Sequence, residues 1–102
     1  MKFQIEVAET QRTISSWAEN TFGPSNGNVR VAIRANEEMS ELLRAVAMQD
    51  TKAAEEIADV FIVLYRLASR LGVDVHAEID KKMEINRGRE WRLDGSGHGY
   101  HK

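Results

Sequence analysis

Apolar residues recur at helical intervals along most of the chain, and no window shows sustained alternation of apolar and polar positions. Before the single proline, Pro24, a first helix is predicted by apolar residues at these intervals: Val7, Ile14, Trp17 and Ala18. After the Gly- and Asn-containing loop around Pro24, a second helix is predicted by a longer set: Val31, Ala35, Met39, Leu42, Leu43 and Val46. We therefore expect an all-α fold with no sheet.

Turn signals delimit two further helices. The break Gln49-Asp50-Thr51 offers a side-chain N-cap for a third helix that runs to about Leu71. Gly72 suits the end of that helix, and Asp74 can cap a fourth. The fourth helix carries its own apolar set: Val75, Ile79, Met83 and Ile85. Four helices with short connections predict an antiparallel four-helix bundle.

The third helix is apolar around most of its circumference, with these residues: Ala54, Ile57, Ala58, Phe61, Ile62, Leu64, Tyr65 and Leu67. Such a helix needs burial on every side, and a bundle of this length does not supply it. We therefore predict that homo-oligomerisation completes the bundle, as a homodimer or a tetramer.

Length and composition describe one small domain. The 102 residues predict a helical domain over residues 1–92 and a flexible, Gly-rich tail over residues 93–102. A net charge of −2 does not favour a nucleic-acid partner, and the absence of cysteine excludes thiolate metal sites and cysteine nucleophiles. No apolar run is long enough for a membrane span, and no signal-peptide core follows Met1, so we expect a cytoplasmic protein with no membrane partner.

Two acidic pairs stand on helices that are otherwise apolar. Glu38 and Glu41 lie three residues apart, as do Glu56 and Asp59, so each pair shares one helical face. Carboxylates that meet between packed helices repel each other by about 4 kcal/mol per pair at ~4 Å and an effective dielectric near 20. A hard divalent cation, which prefers oxygen ligands, is the natural neutralising group.

A structural interpretation of these acids is also open. Glu-x-x-Glu pairs are common on solvated helices, and Asp59 could pair with Arg34 or Arg66 instead of a metal. Two features favour a metal site: an extra glutamate, Glu37 or Glu55, precedes each pair, and the second pair lies in the most apolar part of the chain.

The spacing Glu38-x-x-Glu41, fourteen residues, Glu56-x-x-Asp59 resembles the signature of the MazG-like all-α NTP pyrophosphohydrolases, which also include dimeric dUTPases and dCTP pyrophosphatases. Two more segments resemble that family, and the whole resemblance spans residues 34–91. They are the turn Leu71-Gly72-Val73-Asp74 and the basic segment Lys82-Met83-x-x-Asn86-Arg87-x-Arg89-x-Trp91.

The resemblance implies Mg²⁺-dependent hydrolysis, with Mn²⁺ as a substitute, by a homo-oligomeric helical bundle. The substrate would be a nucleoside triphosphate, a dNTP for preference, cleaved between the α and β phosphates for nucleotide-pool house-cleaning. Its implied catalytic metal ligands are Glu38, Glu41, Glu56 and Asp59. One of these, or Glu37 or Glu55 beside them, would orient or deprotonate the attacking water.

Substrate contacts are predicted on two other helices. Lys82, Asn86 and Arg89 follow each other at intervals of four and three, so they share one face of the last helix. The family resemblance implies that this face binds phosphate and sugar. The alternative is a solvated basic face near a helix C-terminus. Trp17, more than Phe22, could form an aromatic wall for the base, whose identity the sequence leaves open.

Two other protein classes are alternatives to this interpretation. A di-iron bundle needs Glu-x-x-His pairs, and no histidine here has a glutamate three residues before it. A non-catalytic helical dimer, such as a regulatory or antitoxin-like binding module, remains the alternative. It would not need all four carboxylates, and it would not hydrolyse any triphosphate.

Overall fold

A computed structural model describes residues 8–102, which form four helices followed by a short hairpin. The helices are α1 Gln11–Phe22, α2 Asn28–Ala47, α3 Ala53–Arg70 and α4 Val75–Arg87. The hairpin strands are β1 Trp91–Leu93 and β2 Gly99–His101. All four predicted helices are confirmed, although Val7, expected in the first, lies outside the described residues.

The third helix is the central element, because α1 and α2 both pack extensively against it. The buried apolar residues are mostly small: Ala18, Val31, Ala35, Ala45, Val60 and Ala68. On α2 the buried positions follow helical spacing, so they form one stripe toward α3. Small side chains along this stripe let the two helix backbones lie close together.

The fourth helix stands apart from this packed unit, since it has no buried residue. The predicted four helices are therefore present, but one subunit packs three of them and leaves α4 exposed.

The turn between α3 and α4 has the predicted caps. Gly72 adopts φ +72, and the N–H of Val73 donates to the Ala68 carbonyl at 2.9 Å, as in a Schellman motif. The Asp74 carboxylate accepts from the N–H of Ala77 at 2.9 Å and caps α4. These local signals fix the direction in which α4 leaves the packed helices.

The predicted side-chain N-cap of α3 is wrong. The N-cap residue is Lys52, and no side chain caps the helix there. Asp50 instead accepts from the N–H of Lys52 at 2.9 Å. This hydrogen bond lies within the turn between α2 and α3, because α3 begins at Ala53, two residues later than a cap at Asp50 would place it.

The expectation of no sheet is also wrong. Strands β1 and β2 pair antiparallel, with Trp91 opposite His101. Gly95 and Gly97 both have positive φ, at 86° and 94°, and allow the chain to reverse. Strands of three residues are too short to show an alternating pattern. The fold is therefore mostly helical rather than all-α, while the flexibility of residues 93–102 stays a prediction.

Many large apolar side chains remain exposed in the single subunit. They include two helical sets: Met39, Leu43 and Val46 on α2, and Ile57, Phe61 and Leu64 on α3. The Cα radius of gyration is 16.9 Å, whereas a compact domain of this length has about 13 Å. One subunit therefore does not bury the third helix on every side. Within residues 8–102, no helix combines the length and apolar character needed to cross a bilayer.

Candidate functional site

Three of the four predicted carboxylates meet where α2 and α3 pack together. One oxygen each of Glu38, Glu56 and Asp59 lies within 4.8 Å of the others. Glu38 is brought there because it belongs to the buried stripe of α2, and the spacing of three presents the other two from one face of α3. We refer to these three residues as the carboxylate cluster.

Burial within the cluster is uneven. Glu38 is only 5% exposed, Glu56 is intermediate and Asp59 is exposed. One oxygen of Glu38 and one of Glu56, Oε2 in each case, are buried with no hydrogen-bond partner. Buried polar atoms are rarely left unsatisfied. Unpartnered carboxylate oxygens on two of three clustered acids are ligands of the kind that a hard cation prefers.

The electrostatics of the cluster agree with this interpretation. Burial raises the pKa of Glu38, the neighbouring Glu41 carboxyl raises it further, and Arg34 opposes the shift. Burial also raises the pKa of Glu56, with Glu41 and Asp59 adding to the effect. Glu41 therefore belongs to the same field of negative charge, although its oxygens lie outside the 4.8 Å group. The repulsion between neighbouring carboxylates, which contributes to both pKa shifts, also favours a bound metal cation.

Neither arginine that could have paired with Asp59 does so. Arg34 pairs with Glu38 at 2.5 Å and with Glu37 at 3.2 Å. Arg66 pairs with Glu19 on α1. Among residues 8–102, Asp59 forms no ion pair at all, so the structural interpretation lacks the partner that it needs.

A cavity of about 420 Å³ opens beside the cluster, between α1, α2 and α3. Trp17 and Phe22 line one side of it, with ring centroids 5.5 Å apart and planes at 80°. Glu38 and Asp59 line another side. The aromatic residues predicted to contact a base therefore share a cavity with two of the predicted metal ligands. Its volume is in the range of small-ligand pockets.

An ion-pair network joins the end of α1 to α3 beside this cavity. The Glu19 carboxylate accepts from Arg66 Nε at 2.7 Å and from Arg70 Nη1 at 2.6 Å. Hydrogen bonding to Arg66 lowers the pKa of Glu19, although desolvation opposes it. Arg66 also donates to the Gly23 carbonyl at 3.1 Å and lies 5.7 Å from the centroid of the Phe22 ring. The network thereby holds the aromatic wall against α3.

A smaller cavity, of about 300 Å³, lies on the other side of the cluster. It is lined by Glu41 and Glu56 and by two cations, Arg44 and Lys52. Neither cation was predicted as a site residue from the sequence. Their spacing was the available signal, because Arg44 lies three residues after Glu41 and Lys52 four residues before Glu56.

The residues predicted on the last helix are not brought to the cluster. Neither cavity beside it is lined by Lys82, Asn86 or Arg89. The helix ends at Arg87 with Gly88 as its C-cap, so Arg89 lies beyond it and does not share its face. The binding role of these three residues stays a prediction.

A larger cavity, of about 620 Å³, lies near the start of α1 and the turn before α4. Most of its lining residues have polar side chains, among them Gln11, Ser69 and His76. The only carboxylate among its lining residues is Asp74, which already caps α4. This cavity is therefore not the one suited to metal-assisted chemistry.

Comparison with known proteins agrees with the geometry. The model of the MazG-like family matches residues 33–98. A protein of Cyanophage S-2L described as a dATP/dGTP diphosphohydrolase is 35% identical over 91 residues, covering 89% of this chain and 83% of that protein. A Salmonella phage PMBT28 protein with the same description is 34% identical over 93 residues. The match covers 90% of this chain but only 30% of the PMBT28 protein.

A solved structure shares the fold. It is the Cyanophage S-2L MazG-like pyrophosphohydrolase bound to dGDP and three catalytic Mn²⁺ ions per active site. The TM-score is 0.75 at 33% identity, and the alignment covers 90% of this chain and 92% of that one. With a family match over most of the chain and relatives above 30% identity, the chain belongs to the MazG-like family and is a homologue of phage dATP/dGTP diphosphohydrolases.

Proposed function

We propose that this protein is a divalent-metal-dependent pyrophosphohydrolase of purine deoxynucleoside triphosphates. It cleaves dATP or dGTP between the α and β phosphates and releases the monophosphate and pyrophosphate. The observation that carries the proposal is the carboxylate cluster, which contains two buried, unpartnered oxygens and lies beside a cavity with an aromatic wall. Relatives described as dATP/dGTP diphosphohydrolases support the choice of base.

Glu38, Glu56 and Asp59 would hold the metal, with Glu41 close enough to complete the set. The donor set fits Mg²⁺ or Mn²⁺, since every ligand is a carboxylate oxygen. When bound, such ions neutralise phosphate oxygens and lower the pKa of a bound water. The biological role that fits this reaction is nucleotide-pool house-cleaning, in which unwanted triphosphates are converted to monophosphates.

The larger of the two cavities beside the cluster suits the nucleoside. The half-exposed Trp17 and the Phe22 ring offer apolar faces on which a base can stack. With the base there, the phosphates extend toward Glu38 and Asp59 at the other side of the cavity. This orientation brings the reacting phosphorus to the carboxylates.

The smaller cavity suits the leaving pyrophosphate. Arg44 and Lys52 stand there beside Glu41 and Glu56, so positive charge lies on the side of the cluster away from the aromatic wall. Cations at this position stabilise the negative charge that develops on the departing group. Lys82 and Asn86 on α4 would add phosphate contacts only if a neighbouring subunit supplied them.

We also propose a homodimer, because the exposed apolar faces of α2 and α3 leave a large hydrophobic surface on a small subunit. A second copy could cover these faces and complete the bundle around α3. The extended dimensions of the single subunit agree with this assembly.

The test is a product assay on the four canonical dNTPs and dUTP with Mg²⁺ or Mn²⁺, resolving nucleoside monophosphate and pyrophosphate from diphosphate and phosphate. We expect dATP and dGTP to yield monophosphate plus pyrophosphate, and Glu38→Gln to lower turnover at least about 100-fold. Glu84→Gln is the matched control, because Glu84 is exposed on α4.

Release of phosphate and diphosphate would contradict the cleavage position. Equal turnover of pyrimidine nucleotides would contradict the base preference. No turnover of any nucleotide would favour the non-catalytic binding module instead.

A further inference from the structure

Arg34 is the cationic side chain that forms an ion pair with the carboxylate cluster in the protein without metal. It lies one helical turn before Glu38 on α2, and its Nη2 atom is 2.5 Å from Glu38 Oε1. Its Nη1 atom is 3.2 Å from the Glu37 carboxylate. Within the described part of the chain, the pair between Arg34 and Glu38 is the only ion pair that any cluster carboxylate forms.

The ion pair joins a fixed group to a movable one. The Glu38 side chain is 7% exposed, whereas that of Arg34 is 57% exposed. Glu38 uses one oxygen for Arg34, and its other oxygen is buried without a hydrogen-bond partner. The Glu38 carboxylate lies in the same cluster as Glu56 and Asp59. The guanidinium thus offsets part of the clustered negative charge. Divalent ions bound to the same carboxylates would make this offset unnecessary and would repel the guanidinium.

Arg34 also faces the cavity proposed for the nucleotide. It lines that cavity together with Trp17, Glu38 and Asp59. Its side chain is long and 57% exposed, and its planar fork matches two phosphate oxygens. Arg66 lines the same cavity but is already held by Glu19 and the Gly23 carbonyl.

We propose that Arg34 is an exchangeable counter-ion that neutralises Glu38 in the metal-free protein and transfers to the phosphates of the substrate when metal occupies the cluster. The first half concerns the metal alone, and the second half rests on the proposed nucleotide substrate. Arg34 then pairs first with the Glu38 carboxylate and afterwards with phosphate oxygens, which are both negatively charged. No covalent bond changes.

The test measures two affinities separately. Mn²⁺ is titrated calorimetrically into the protein without nucleotide, and a non-hydrolysable α,β-methylene dGTP is then titrated in saturating Mn²⁺. For Arg34→Gln we expect Mn²⁺ to bind about threefold to tenfold more tightly, because a competing cation is gone. We expect the analogue to bind about tenfold more weakly, because a charge-assisted phosphate contact is lost. A residue needed only for folding would weaken both affinities.

Two further variants keep the outcome decisive. Arg34→Lys retains the charge but loses the fork, so Mn²⁺ affinity should stay near that of the parent while analogue affinity falls. Arg30→Gln removes a cation that lines the same cavity but does not pair with Glu38, so Mn²⁺ affinity should not rise. Equal tightening in Arg30→Gln would overturn the specific exchange, as would unchanged or weaker Mn²⁺ binding in Arg34→Gln.

The metal titration also separates this inference from the proposed function. If Arg34→Gln tightens Mn²⁺ binding but no form of the protein binds the analogue, the counter-ion role stands. The transfer to phosphate and the proposed substrate then both fail.

Discussion

At the scale of single residues, the free-energy cost of burying negative charge in the site falls mainly on Glu38. This carboxylate occupies a position in the buried stripe of α2 that an apolar residue would fill in an ordinary helix pair. The sequence suggested a different distribution, because Asp59 stands in the most apolar segment. Asp59 is exposed, since the apolar residues around it on α3 are themselves only partly covered in one subunit.

The raised pKa of Glu56 predicts a pH-dependent stability in the metal-free protein. A carboxyl whose pKa is raised by folding stabilises the native state while it is protonated, and this contribution is lost as the pH rises above the ordinary value of 4.5 and through the raised pKa. Glu56→Gln resembles the protonated acid permanently. Its melting temperature in EDTA should therefore fall less than that of the parent between pH 4.5 and neutrality.

Thermal denaturation across this range, with Glu84→Gln as control, measures the difference. Glu19 acts with the opposite sign, because its lowered pKa contributes stability above the ordinary value of 4.5. Its surroundings are the same in the parent, Glu56→Gln and Glu84→Gln, so its contribution cancels in this comparison. Parallel melting curves for the parent and Glu56→Gln would show that clustered charge does not destabilise the metal-free fold.

At the scale of elements, the signals of the turn between α3 and α4 were predictable, whereas the N-cap of α3 and the contacts between helices were not. Gly72 and Asp74 act within a few residues of themselves, so their roles as helix end and helix cap could be predicted from the sequence. The link from Glu19 to Arg66 and Arg70 joins side chains on different helices, and no local periodicity reports it. Arg34 was the intermediate case, because its spacing of four from Glu38 allowed the pairing.

Two glycines at helix ends provide a matched test of backbone conformation. Gly72 has φ +72, where a Cβ is unfavourable, so Gly72→Ala should lower the free energy of unfolding by about 1 kcal/mol. Gly88 has φ −88, and an added Cβ would meet only the carbonyl oxygens of Ile85 and Glu84, at 3.6 and 3.7 Å. Gly88→Ala should therefore raise stability, by about 0.5 kcal/mol.

Chemical denaturation at one fixed protein concentration compares the two glycine variants. Equal effects of both substitutions would contradict the assignment of the α3 end to backbone conformation.

The network beside the aromatic wall predicts a selective kinetic effect. Arg66→Met keeps the length of the side chain but removes its contacts with Glu19 and the Gly23 carbonyl. If the network holds Phe22 and Trp17 for the base, KM for dGTP should rise about tenfold, equivalent to 1.4 kcal/mol, while kcat changes little.

Arg70→Met is the control for this prediction, because Arg70 shares Glu19 but does not line the cavity. In Arg70→Met, KM for dGTP should rise less than in Arg66→Met. A fall in kcat with unchanged KM in Arg66→Met would instead connect the network to the reacting groups.

At the scale of the whole molecule, the sequence predicted the helices and the crowding of apolar residues on α3, but not the arrangement of α4. Helical periodicity depends on near neighbours, whereas the position of α4 depends on tertiary contacts that one subunit hardly provides. The hairpin was missed because three-residue strands have no usable pattern. For the site, spacing placed the carboxylates on their helices, and only packing determined which one is buried.

The exposed face of α3 gives a test of assembly. Phe61 is 51% exposed in the single subunit, and a dimer interface that covers it would not tolerate a charge there. Phe61→Asp should therefore halve the mass in sedimentation velocity. Leu93→Asp, at an exposed position in the hairpin, should leave the mass unchanged. An unaltered mass in Phe61→Asp would exclude this face as the interface.

The two alanines that flank Glu38 on the buried stripe of α2, Ala35 and Ala45, act as spacers of minimal thickness. One extra methylene at either position would push α2 away from α3 and widen the gap between oxygens on opposite helices. Preference among Mg²⁺, Mn²⁺ and the larger Ca²⁺ depends on such gaps. Evolution could therefore retune ion choice in this enzyme family through residues that never touch an ion.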